Sequence, residues 1–227
     1  MRKFAISDIH GCSKTFRSLV EDTLQLSKED QLFLLGDYID RGPDSRGVLD
    51  YIVELQQAGY QVTSLMGNHE WMLLESQQDG GMVQTWMANG GIQTLESFGA
   101  DSPRDIPQPY QDFMAQMPYY LEIDEYILVH AGLDFRSSTP LADPMSLIWI
   151  RNWHKQVNKE WLNGRVVVHG HTPVTIYQID MALENLDEVP VIDIDAGCYM
   201  AGKLMMGHLC AFELATRELH FQRNLDM

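Results

Sequence analysis

Over the first hundred residues, short apolar runs alternate with stretches in which apolar positions recur every three or four residues. KFAI (3–6), QLFLLG (31–36) and YQVTSLMG (60–67) read as strands. Between them, SKTFRSLVEDTLQL (13–26) sets Phe16, Leu19, Val20, Thr23 and Leu24 on one helical face behind Ser13, a residue type that caps helices. SRGVLDYIVELQQAG (45–59) turns Val48, Ile52 and Leu55 to one side and stops at Gly59. HEWMLLESQQ (69–78) continues as a helix after the third strand. Strands that alternate with helices imply parallel βαβ units.

The second half has another rhythm. PYYLEI (118–123) and YILVHAG (126–132), joined at Asp124 and Glu125, predict a hairpin. MSLIWIRNWHKQVNKEWL (145–162) predicts one amphipathic helix. RVVVHG (165–170), PVIDIDAG (190–197), LMMGHLCAFEL (204–214) and ELHFQ (218–222) predict further strands, the last two joined by a short turn. GADSPRDIPQPY (99–110), with three prolines, reads as a surface loop. No repeat or long linker divides the chain, so a single domain over 1–227 is expected. The fold class implied is α/β (α+β): two sheets packed face to face with helices outside.

Composition narrows the function classes. The 227 residues, 45% hydrophobic, suffice for a sizeable core. Thirty-two acidic against 16 basic residues leave a formal charge of −16. Nucleic-acid binding is driven by phosphate neutralisation, so no nucleic-acid partner is expected. Bound divalent cations would return positive charge locally. Cys12, Cys198 and Cys210 are odd in number and lack metal-type spacing, which fits free thiols in a reducing compartment. MRKFAISDIHG lacks a signal-peptide core, and no apolar run is long enough to span a bilayer. A cytoplasmic protein with no membrane partner is the expectation.

The charged residues then change the picture. FAI runs into Asp8 and His10; LFLL into Asp37, Asp40 and Arg41; VTSLM into Asn68, His69 and Glu70; YILV into His130; VVV into His169 and His171. Five predicted strands thus deliver metal-capable side chains just past their C-terminal ends, using five of the eight histidines. In α/β folds that edge is where ligand crevices lie. Taken singly, each residue has an ordinary explanation: Asp37 and Asp40 as turn or cap residues, Arg41 as a surface ion-pair partner, a lone histidine as a packed side chain. Five coincidences at one edge do not. Carboxylate, imidazole and amide oxygen form a mixed set suited to manganese, iron or zinc, without the thiolates of structural zinc sites. Seven candidate donors exceed what one ion with open positions takes, and two ions about 3.5–4 Å apart sharing a carboxylate would use them. Such a pair points to phosphoester hydrolysis.

DIHG, GDYIDRG, GNHE, the histidine of VHAG, and HGHTP resemble, in order, the motifs of the calcineurin-like metallophosphoesterases. Within them they are most similar to the phosphoprotein phosphatase branch, especially its small bacterial and phage members. The resemblance spans Asp8 to Thr172 and implies a β-sandwich flanked by helices, four layers in the order αββα. It implies two divalent ions, manganese foremost, with iron, zinc or nickel as alternatives. Asp8 and His10 would bind the first ion, Asp37 would bridge, and Asn68, His130 and His171 would bind the second. Arg41 would grip the phosphate oxygens. His69 would protonate the leaving oxygen, held by Asp40, whose carboxylate would raise the imidazole pKa. Arg151 resembles a second phosphate-binding arginine, an alternative to a solvent-facing helix residue. His169 is read as orienting a ligand in preference to being one.

What the resemblance implies for function is a serine/threonine protein phosphatase acting on a phosphorylated protein, peptide or small phosphoester. IDIDAGCYMAGKL and RGPDS also resemble the symmetrical diadenosine tetraphosphate hydrolases, an alternative; those enzymes tend to lack the aspartate at Asp40 and to carry aspartate where this chain has Glu70. Cys12 is read as a small half-buried residue in preference to an oxidation-sensitive thiol. The five tryptophans are read as helix-packing residues.

Overall fold

The computed structural model describes residues 1–227. Its strands are β1 (Lys3–Ile6), β2 (Gln31–Leu34), β3 (Gln61–Ser64), β4 (Tyr120–Ile123), β5 (Tyr126–Val129), β6 (Val166–His169), β7 (Val191–Asp193), β8 (His208–Glu213) and β9 (Leu219–Arg223). They form a five-stranded sheet, β3-β2-β1-β8-β9, and a four-stranded sheet, β4-β5-β6-β7. β1, β2 and β3 pair in parallel, with Phe4 opposite Leu32 and Phe33 opposite Thr63. β5, β6 and β7 are also parallel, whereas β4 and the β8–β9 hairpin are antiparallel additions.

Alternation along the strands builds the layers. Ala5, Phe33 and Leu35 face Leu128, Val168 and Ile192 across the gap between the sheets, with Phe212 completing that core. The opposite faces serve other clusters. Phe4, Ile6, Leu32 and Leu34 pack under the helices of the first half, and Ile127, Val129 and Val167 pack under Leu147, Trp153 and Leu162. Two sheets flanked by helices is the architecture the sequence implied. No helix is long and apolar enough to cross a membrane.

The helices are α1 (Ser13–Ser18), α2 (Ser45–Gln57), α3 (Asn68–Ser76), α4 (Gly80–Trp86), α5 (Ile92–Phe98), α6 (Gln108–Ala115), α7 (Pro144–Trp149), α8 (Lys159–Leu162) and α9 (Ile176–Glu184). α1 opens into a π-turn over Leu19–Thr23. Ser13 does not cap it: Ser13 Oγ bonds Asp44 Oδ2, and the carboxylate of Asp226 accepts the N–H groups of Lys14 and Thr15. α2 matches its predicted span, capped by Asp44 on Gly47 N–H. The stretch 99–110 is not all loop, since a 3-10 turn forms at Pro103–Asp105 and α6 begins at Gln108.

The predicted helix 145–162 is broken. α7 ends at Trp149, Ile150 turns extended, and Asn152 enters the left-handed region at φ 59°. The amphipathic spacing is real, but Trp153 lies inward instead of continuing the helix, its indole donating to Ala131 O at 3.0 Å.

Candidate active site

The loop that follows β2 is built around backbone conformations that side chains disfavour. Asp37, Asp40 and Arg41 have φ of 55°, 71° and 68°. The left-handed region costs a non-glycine residue on the order of 1 kcal/mol. At Gly36, φ 108°, a side chain would put its Cβ 2.7 Å from Gly67 Cα and 2.9 Å from His130 Nδ1. Glu70, in the first turn of α3, holds this path. One of its oxygens accepts the N–H groups of Tyr38 (2.8 Å) and Ile39 (3.2 Å), the other those of Asp37 (2.9 Å) and Gly67 (3.2 Å). Ile9 and His10 N–H donate to Asp37 O, locking the β1 loop onto the β2 loop.

The donors at the strand ends converge in two groups that share Asp37: His10, Asp37 and His69, and Asp37, His130 and His171. Hydrogen bonds fix the ring states. Nδ1 of His10 faces Ile39 O at 2.9 Å and Nδ1 of His130 faces Leu35 O at 3.0 Å. A carbonyl only accepts, so each Nδ1 carries the proton and each Nε2 is left bare. Bare Nε2 of His130 then sits 2.9 Å from Asn68 Oδ1, 3.2 Å from His171 Nδ1 and 3.4 Å from Asp37 Oδ1. The amide oxygen of Asn68 turned on a bare ring nitrogen sets two lone pairs face to face, which a cation between them would relieve. His171 Nε2 is itself buried without a partner. The donor set fits divalent metal.

The electrostatics agree. Burial, then the Arg41 charge, holds the His10 and His69 imidazoles well below their ordinary pKa, and burial lowers those of His130 and His171 as well. Neutral rings keep the lone pairs a metal needs. Burial, then repulsion from Asp8, pushes the Asp37 carboxyl well up. Nearby cations would relieve that crowding. Asp8 lies outside the two tightest groups. Burial opposes its charge, but His130 and His10, with the Ser7 hydroxyl and the His171 N–H, keep its carboxyl below the ordinary value.

His69 projects from α3 with Nε2 3.8 Å from Asp37 Oδ2, while its Nδ1 lies 2.6 Å from Asp40 Oδ2. Asp40 is fully buried and accepts from Trp86 Nε1 at 2.9 Å and from Thr94 Oγ1 at 2.6 Å. Burial pushes its carboxyl up to about 8 even against those donors. The expectation that Asp40 raises the His69 pKa does not hold: burial, then the Arg41 charge, keeps the imidazole well below its ordinary value.

A calcineurin-like phosphoesterase model matches residues 1–205. The chain belongs to that family. That family uses a dimetal centre, and the chain spans 60% or less of the length of the first curated relatives it matches. It is 32% identical over 181 residues to the symmetrical bis(5'-nucleosyl)-tetraphosphatase of Nitrosomonas europaea, covering 75% of this chain and 60% of that protein. It is 27% identical over 218 residues to serine/threonine-protein phosphatase 1 of Salmonella typhimurium, covering 91% of each. Among solved structures, a serine/threonine phosphatase from Saccharomyces cerevisiae shares the fold with a TM-score of 0.69 at 13% identity, covering 100% of this chain and 81% of that one. A putative diadenosine tetraphosphatase does so with a TM-score of 0.65 at 19% identity, covering 100% and 95%.

Around the two donor groups lie residues of less obvious duty. Arg41 Nη1 points at His10 Nε2, 2.9 Å away, and its guanidinium lies over the Tyr199 ring, 4.5 Å from its centroid. Arg151 falls on the irregular segment after α7 and is solvent-exposed; behind burial, its charge helps hold down the pKa of His69, His130 and His171. His169 is buried and bonds outward to His154, Nε2 to Nε2 at 2.9 Å. Cys12 is fully buried, not half-buried, and receives Asn224 Nδ2 at 3.3 Å.

Sequence reasoning missed three of these neighbours. Trp86 does pack among helices, yet its indole N–H also serves Asp40. Thr94, 54 residues beyond Asp40, has no sequence signal at all. Asp195 is buried with one oxygen unpartnered, and burial, then Asp8, pushes its carboxyl well up. Its signal was the acidic end of VIDID, one more strand delivering a carboxylate to the same edge.

Proposed function

We propose that the chain hydrolyses phosphate monoesters with alcohol leaving groups, acting as a serine/threonine protein phosphatase. The single observation behind this reading is the buried His69–Asp40 dyad, 2.6 Å apart. An alkoxide is a poor leaving group and gains most from a positioned acid. Asp8, His10 and Asp37 would hold one divalent ion, and Asp37, Asn68, His130 and His171 the other. When bound, the two cations supply a hydroxide nucleophile at neutral pH and neutralise charge on the phosphoryl oxygens. Asp37 serves both groups because its two oxygens diverge, Oδ2 towards His10 at 3.5 Å and Oδ1 towards His130 at 3.4 Å. Arg41 and Arg151 would orient the non-bridging oxygens, Arg41 steadied by the Tyr199 ring.

His69 delivers the proton from Nε2 to the leaving oxygen. Asp40 holds the opposite nitrogen, so the ring cannot swing away, and Trp86 and Thr94 keep Asp40 from doing so. The chain also matches the Salmonella phosphatase over nearly the whole of both sequences, but spans only 60% of the Nitrosomonas tetraphosphatase.

A second reading, symmetrical cleavage of dinucleoside tetraphosphates, is favoured by that relative's higher identity. A manganese-reconstituted assay on a phosphoserine peptide, a phosphotyrosine peptide and diadenosine tetraphosphate separates the two. The highest kcat/KM on the phosphoserine peptide is expected; the highest on the dinucleotide overturns the first reading in favour of the second.

A further inference from the structure

We propose that His154 is a positioning residue for Arg151, and that Trp153 and His154 together strap the Arg151 segment to the two loops that carry His130 and His171. This rests on the reading above that Arg151 binds phosphate.

Arg151 sits where a helix has just ended, exposed, and followed by Asn152 in the left-handed region at φ 59°. Nothing in the local backbone fixes such a residue. The next two side chains do. Trp153 is buried, donates its indole N–H to Ala131 O at 3.0 Å, and lies so close to Gly132 that no Cβ would fit there. Ala131 and Gly132 directly follow His130. His154 stacks on Trp153, with centroids 4.7 Å apart and planes at 18°, and reaches His169, whose next neighbours are Gly170 and His171.

The direction of the His154–His169 bond follows from its surroundings. His169 Nδ1 lies 3.0 Å from Gly170 O, an acceptor only, so Nδ1 carries that ring's proton and Nε2 is bare. His154 Nε2–H must therefore be the donor. The bond crosses from an exposed segment to a buried residue, and it runs from three positions after Arg151 to two positions before a candidate ligand. His154 is outside the crevice and has no other task there. An arginine on an irregular segment binds phosphate well only if its segment is held in advance.

The test is a set of four variants assayed on a phosphoserine peptide in the manganese-loaded enzyme. Arg151→Ala is expected to raise KM about tenfold, as loss of one charge-assisted contact does. His154→Phe keeps the stacking and loses the donor; it is expected to raise KM severalfold with metal affinity and Tm unchanged. His154→Gln, which keeps an N–H in reach, is expected to restore most of the loss. His154→Phe added to Arg151→Ala is expected to change nothing further. The inference is overturned if His154→Phe leaves KM alone while Arg151→Ala raises it. It is equally overturned if the two losses multiply, or if His154→Phe weakens metal binding, since His154 would then act through His171. An unaltered KM in Arg151→Ala overturns the phosphate role of Arg151 itself, and the strap with it.

Discussion

The two sheets contribute opposite kinds of structure to one crevice. On the side of β1, β2 and β3, every group is tied down: Glu70 gathers four backbone N–H groups around the Asp37 loop, and Asp40 is gripped by Trp86, Thr94 and His69. On the side of β5 and β6, His130 has one carbonyl partner, His171 Nε2 has none, and Arg151 stands in solvent. The first side is finished before anything binds. The second would be completed by cations and phosphate under the proposed reading. On that reading, bridge and acid must be in register to a fraction of an ångström, whereas on the second side the Arg151 segment is held by Trp153 and His154 and only its side chain is left to adjust.

The sharpest way to break this contrast is Asp37→Asn, which removes charge from the one side chain both groups share. Hydrolysis of every substrate is expected to fall ~10³-fold or more. Activity within tenfold of wild type would show that Asp37 is not the pivot between the two sides. His69→Asn comes next. A loss on the order of 10²-fold or more is expected for a phosphoserine peptide, with a much smaller one for an aryl phosphate that needs no proton. Equal losses would remove the acid from the finished side.

Glu70→Gln tests the cradle itself. An amide replaces one oxygen with a donor, so two of the four N–H groups lose their acceptor. A drop in manganese affinity of about 10–100-fold, with a lower Tm, is expected from such loss of support for a ligand. Calorimetric titration showing wild-type affinity would refute the cradle's part in metal binding. The smallest effect concerns pH. The Asp40 carboxyl stands at about 8 in the fold against 3.8 ordinarily, so the folded state holds its proton more tightly. The stability this confers is complete below the ordinary value and is lost as pH rises through about 8. In EDTA, wild-type Tm is therefore expected to decline from pH 5 to 9 relative to Asp40→Asn. Parallel curves would show that burying this carboxyl carries no penalty.

The strand-end residues were legible because each follows its apolar run by only a few positions, and periodicity of two places the run without ambiguity. What surrounds them was not. Trp86 and Thr94 reach Asp40 from helices 46 and 54 residues away, and no local pattern encodes that closure. The region that brings them there is kinked at Gly90, φ 110°, so its helices α4 and α5 are too short to show a stripe. The 145–162 helix failed for the converse reason. Its apolar spacing is helical, but Asn152 bends the chain so that Trp153 and His154 can serve tertiary partners. Arg151 accordingly lies on an irregular segment and not on a helix face, which spacing alone could not show.

The left-handed turns of the active loops bear on how this sequence can drift. His10, Asp37, Asp40, Arg41 and His171 all hold φ above 45°, where glycine is at ease and histidine and arginine are not. Only a working reaction rewards keeping those side chains there. A descendant lineage that stops hydrolysing phosphate is released from that selection, and glycine at positions 10, 41 and 171 then becomes a favoured replacement for the backbone. Glycines at these three places would mark a relative as a retired enzyme before any assay is run.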